Sequence, residues 1–199
     1  MADDKNGREK QADDADKRQR KRDVAAELDR GDEPEPPVDS SALAYFDSEL
    51  ESLEFPVTAS EVVAVIGDRE IESDTESYTV EELVPEVESV TFDSPSAVRT
   101  RVQRPTVAVA MKRVLEAAET LPNTELRQSQ HDAYEKTFLE LKAVDADDDD
   151  EGILAITDWI VEQISEKESV PGSRAVRRQA AKFCRTNGYE IGNDEWLGI

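Results

Sequence analysis

The sequence predicts a mainly α-helical protein with one short β-hairpin, arranged as a small α+β lobe followed by a bundle of about four helices. Three observations predict it. Beyond Ser41, apolar residues recur at three- and four-residue intervals through successive windows. Ser, Thr and Pro stand where those windows open, and Gly or Pro where they close. One alternating stretch, "REIES" and "SYTV" about Asp74-Thr75-Glu76, breaks the helical period and reads as a hairpin.

The chain divides into residues 1–40 as a tail and Pro-rich linker, 41–104 as the lobe, and 105–199 as the bundle. Residues 1–31 carry nine bases and nine acids, with Val24 and Leu28 the main apolar points for docking. Such a segment forms a solvated helix or a mobile tail, and "DEPEPPVDSS" after it is held extended by its prolines. In the lobe, Leu43, Phe46, Leu50 and Leu53 follow helical spacing. "TASEVVAVIG" opens with a capping box, in which Thr58 caps and Glu61 reaches back, and Gly67 stops the helix. Thr79 and Glu82 repeat the box, with Pro85 keeping that helix short. The hairpin turns Ile71, Tyr78 and Val80 inward. Ser94 caps the next helix and Pro95 takes its first position.

The bundle follows. Its first helix opens at Pro105 and lines up Val107, Met111, Val114, Leu115 and Ala118. The second offers Leu126, Ala133, Thr137, Phe138 and Leu141; the third offers Ile153, Ile156, Trp159, Ile160 and Ile164. The last has Ser173 as expected cap and Gly188 as stop, with Val176, Ala180, Phe183 and Cys184 on its apolar face. "YEIGNDEWLGI" ends the chain, and its Trp196 either packs back on the bundle or serves as a partner-binding anchor.

Composition bounds the setting. Acids number 47 against 24 bases, a formal charge of −23, and the acids are spread over nearly every segment. That distribution suits a protein solvated in molar salt, where screening shrinks the Debye length to about 3 Å. One cysteine excludes an intramolecular disulfide and points to an intracellular setting. "MADDKNGREK" has no apolar core of a signal peptide, and the runs "VVAVI" and "VAVAM" are too short to span a bilayer. A cytoplasmic protein without membrane contact is expected.

Over residues 53–103, "FPVTASEVVAVIGDREIE", "YTVEELVPEV" and "TFDSPSAVRTRV" resemble an uncharacterised haloarchaeal domain-of-unknown-function family. The resemblance implies a salt-rich setting and brings no chemistry, since the family has no established activity.

Catalytic signatures are missing from the sequence. There is no Gly-rich phosphate loop and no nucleophile elbow, and one Cys with one His cannot supply a structural zinc site. His131, within "QSQHDAYE", reads as a surface residue and Cys184 as a buried small hydrophobe. "DADDDDEG" fails the EF-hand pattern, because the required Gly falls on Asp150 and the closing Glu on Ile156; capping by Asp149 or Asp150 is the expectation. No catalytic residue, cofactor or metal is expected, and a non-enzymatic role follows.

The bases carry the remaining signal. Ten of them fall in two acid-free windows: Arg99, Arg101, Arg104, Lys112 and Arg113, then Arg174, Arg177, Arg178, Lys182 and Arg185. On the last helix Arg174, Arg178, Lys182 and Arg185 form a ridge opposite the apolar stripe, with Arg177 at its flank. Three counterparts compete for the ridge: the protein's own carboxylates, an acidic protein or second copy of this chain, and nucleic acid phosphates. Phosphate binding weakens steeply with salt, and the remaining surface repels nucleic acid. Arginine forks hold carboxylates bidentately. An interaction or regulatory module docking acidic protein is therefore expected, through the ridge or through Trp196, with nucleic-acid or ribosome association second.

Overall fold

The computed structural model describes residues 38, 43–73, 76–122, 126–144 and 150–189. The tail expected over residues 1–31, the acidic run 145–149 and the terminal segment with Trp196 lie outside the described residues. Among the described residues the fold is mainly helical, with eight α-helices and two small antiparallel sheets. The expected fold class holds, with one more sheet than the sequence announces.

A 3-10 turn, Ala44–Phe46, leads into the short helix α1 (Asp47–Leu50), and Leu43, Phe46 and Leu50 are buried as their spacing predicts. Strand β1 (Val57–Thr58) then runs directly into α2 (Ala59–Ile66). The capping box is present there: Glu61 N–H donates to Thr58 Oγ1 at 3.2 Å, and Thr58 N–H donates to Glu61 Oε2 at 2.8 Å. Strands β2 (Glu70–Glu72) and β3 (Ser77–Thr79) form the expected hairpin, with Ile71 opposite Tyr78. A second box, with Thr79 N–H donating to Glu82 Oε2 at 2.7 Å, opens α3 (Val80–Leu83), which ends before Pro85. Strand β4 (Thr91–Phe92) returns to β1, pairing Val57 with Phe92. Two residues a side are too short for an alternating pattern, so that pairing is invisible in the sequence. Helix α4 (Pro95–Val102) is capped by Ser94, whose hydroxyl accepts from Ala97 N–H at 3.4 Å.

Helices α5 (Pro105–Glu119), α6 (Gln128–Val144), α7 (Glu151–Lys167) and α8 (Ser173–Asn187) pack together, α5 against α7 and α6 against α8. Two apolar clusters meet on α5. Ala108 joins the lobe core of Leu50, Val62, Ile66, Leu83 and Val98, whereas Val107, Met111 and Val114 join Phe138, Ile156, Ile160 and Cys184. Each fully buried Val or Met side chain contributes about 1.5–3 kcal/mol; α5 supplies these to the bundle core and the smaller Ala108 to the lobe core. Val38, placed by the sequence in the linker, donates its N–H to Gln103 O at 2.8 Å beyond the end of α4.

Three local expectations are corrected. Helix α8 has Gly172, not Ser173, at its N-cap, and Gly172 O accepts from Ala175 and Val176. Asp150 does occupy the N-cap of α7, but its carboxylate accepts from Lys142 Nζ at 2.6 Å and caps nothing. On α6 the buried stripe is His131, Tyr134, Thr137, Phe138 and Leu141, so His131 is a core residue and Ala133 is only half-buried.

Candidate functional site

Helix α8 lays Val176, Ala180, Ala181 and Cys184 into the bundle core. At 100° per residue the stripe of Val176, Ala180 and Cys184 turns Arg174, Arg178, Lys182 and Arg185 to the other side of the helix, with the small Ala181 at the border of the two faces. All four are exposed, and Arg177 is half-buried beside them. Arg177 directs its Nε–H along the helix to Ser173 O at 3.5 Å. Among the described residues none of the four exposed bases forms an ion pair with a carboxylate. Bridging of the protein's own helices by this ridge is thus not seen among the described residues, whereas the acids of 145–149 and 190–199 lie outside them.

Local physics makes that face unusual. Arg174 lies in the first turn, where a cation opposes the helix dipole by about 0.3–1 kcal/mol. Arg174, Arg178 and Lys182 stand at i, i+4, i+8, where like charges repel by about 0.2–0.5 kcal/mol per pair. Only Arg185, in the last turn, suits the dipole. The ridge does not stabilise its own helix.

The first basic window behaves differently. Lys112 Nζ donates to Val84 O at 3.2 Å and pairs with Glu116, and Arg113 Nη2 reaches Asp158 Oδ1 at 2.6 Å. These bonds tie α5 to the lobe and to α7. Arg101, on α4, reaches into the start of α6, where its Nη1 lies 2.5 Å from His131 Nε2. A guanidinium only donates, so Nε2 accepts and the imidazole proton sits on Nδ1. His131 is 8 % exposed. Burial first, and the Arg101 charge second, push its pKa down to about 4, so the ring is neutral near pH 7. Burial also lowers the Arg101 pKa, against the pull of the Glu135 carboxylate. His131 Nδ1 faces Asp132 Oδ1 at 3.7 Å and Glu135 Oε2 at 3.8 Å, with no hydrogen-bond partner. Sequence reading missed this cluster, although His131, Tyr134, Phe138 and Leu141 keep an i, i+3, i+7, i+10 stripe that contains it.

Cys184 is buried and outside any disulfide, as its helix position predicts. Trp196, the remaining candidate anchor, lies outside the described residues. Among the described residues no helix is long and apolar enough to cross a membrane.

Residues 42–114 match a family of unknown function, DUF5789. The DUF5789 match takes in the lobe and most of α5, and it contains the residues 53–103 on which the sequence resemblance rests. Helices α6, α7 and α8, with the basic ridge, lie beyond it. No curated protein matches the chain, and no solved structure does.

Proposed function

We propose that this protein is a non-enzymatic interaction module that docks an acidic protein surface through the ridge of α8 in a salt-rich cytoplasm. One observation carries the reading. In a chain of charge −23, four exposed bases on one helix face have no carboxylate partner among the described residues. Lys112 and Arg113 of the other basic window, by contrast, pair with carboxylates of their own chain. The i, i+4, i+8 row of Arg174, Arg178 and Lys182 matches the spacing of carboxylates along an acidic helix. Arginine adds bidentate geometry, which survives salt better than long-range attraction because contact pairs lie inside the screening length. The acidic composition and the resemblance to a haloarchaeal family support the salt-rich setting.

Affinity purification in molar KCl, comparing wild type with Arg174/Arg178/Arg185→Ala, tests the docking. Loss of a co-purifying protein in the variant is expected, with no fall in unfolding free energy, because the changed residues are solvated and their like charges oppose the helix. An unchanged set of co-purifying proteins overturns the reading. Co-purification abolished by nuclease transfers the ridge to nucleic acid.

A further inference from the structure

We propose that His131, Asp132 and Glu135 at the start of α6 form a mixed imidazole–carboxylate site for one divalent transition-metal ion of the zinc type. The inference is independent of the ridge. The three donor atoms, His131 Nδ1, Asp132 Oδ1 and Glu135 Oε2, lie within 4.8 Å of one another, with Nδ1 at 3.7 Å and 3.8 Å from the two oxygens. Donors bound about 2.0–2.2 Å from a tetrahedral zinc stand about 3.4 Å apart, so the two nitrogen–oxygen separations close by tenths of an ångström, and the oxygen–oxygen one, within 4.8 Å, closes by rotation of the exposed carboxylates. His131 and Glu135 are at i, i+4, one turn apart on a single helix face, the spacing by which helices chelate metals.

Burial supplies the second observation. The His131 side chain is 10 % exposed, and Nδ1 has no hydrogen-bond partner although it is aimed between two carboxylates. An unmet buried donor of this kind costs about 1–3 kcal/mol, which ligation relieves. The carboxylates provide the way in, since the Asp132 and Glu135 side chains are 62 % and 38 % exposed. Imidazole with carboxylate suits zinc, nickel or cobalt better than magnesium or calcium, which take oxygen alone.

Arg101 is the competitor. With Arg101 on Nε2 the proton sits on Nδ1, which then has no lone pair for a metal. Ligation moves that proton to Nε2, turning it into a donor that repels the guanidinium. Metal binding and the contact between α4 and α6 therefore exclude each other. Gln128 Nε2 donates to the same Asp132 Oδ1 at 2.6 Å; it is neutral and occupies one lone pair of that oxygen, so the ion takes the other.

His131 is the chain's one histidine, so its ring resonances report the site without ambiguity. Nitrogen-15 spectra of the full-length, tag-free protein, titrated with Zn2+ in molar KCl and excess Mg2+, test the proposal. The expected result is saturation at one equivalent, with the proton on Nδ1 before addition and on Nε2 after it. Glu135→Gln, a half-exposed change that leaves the core intact, weakens binding at least about tenfold, and Arg101→Gln tightens it. Ring signals that ignore Zn2+ up to millimolar concentration overturn the proposal. So do signals that move equally in wild type and Glu135→Gln.

Discussion

His131 and Arg101 set the acid response at the scale of single residues. The folded imidazole has its pKa pushed down to about 4, against an ordinary value of 6.5, chiefly by burial. Unfolding therefore takes up a proton between those two values, and stability contributed by neutral His131 is complete above pH 6.5 and lost as pH falls toward 4. A shift of that size amounts to about 3 kcal/mol at its limit. Denaturant unfolding of wild type and His131→Gln should differ in slope between pH 6.5 and pH 4.5, with wild type losing stability on acidification relative to the variant. Parallel curves would show that the ring titrates alike in both states. The sequence reading set His131 on the surface, because its polar neighbours in "QSQHDAYE" outweighed the i, i+3, i+7, i+10 step it keeps with Tyr134, Phe138 and Leu141. The Arg101 contact was not legible, since residues thirty apart in sequence meet only through packing.

At the element scale, capping chemistry does most of the local work. Glu61 and Glu82 each fold back onto a Thr backbone N–H and hydroxyl, and those bonds hold both carboxyls below the ordinary range. Thr58→Ala and Thr79→Ala should each cost about 1 kcal/mol, read as a lower unfolding midpoint, because each removes the hydroxyl that the N3 N–H of its capping box uses. No loss at Thr58 would mean that the β1–β4 pairing alone fixes the start of α2. Gly188 closes α8 at φ 78°, as its position after Asn187 suggested, and its N–H donates to Cys184 O. Start and stop signals are local in sequence, which is why α2, α3, α4 and the end of α8 were readable. Asp150 shows the limit: a capping residue type at the N-cap position turned its carboxylate to Lys142 instead.

Charge governs the whole molecule. At −23 the chain repels itself, and screening relieves that repulsion within a few ångströms only at molar salt. The unfolding midpoint should rise as KCl goes from about 0.1 M to 1 M, where the Debye length drops from about 10 Å to 3 Å. A flat or falling midpoint would show that the ion pairs Arg113–Asp158 and Lys142–Asp150, which salt weakens, outweigh self-repulsion. The two apolar clusters limit the effect, because burial on both faces of α5 is insensitive to simple screening.

From the sequence alone came the helical class, the hairpin about Ile71 and Tyr78, the Thr58 and Thr79 boxes, and the division of α8 into an apolar stripe and a basic ridge. All of these rest on neighbours within one or two turns, where spacing and residue type suffice. Only the tertiary structure decided that β1 meets β4, that α5 serves two cores, that Lys112 and Arg113 pair with carboxylates of their own chain, and that Arg101 lies on His131. Those outcomes depend on which helix faces come together. The ridge on α8 is legible in both: its spacing placed it on one face, and packing of the opposite face left it exposed.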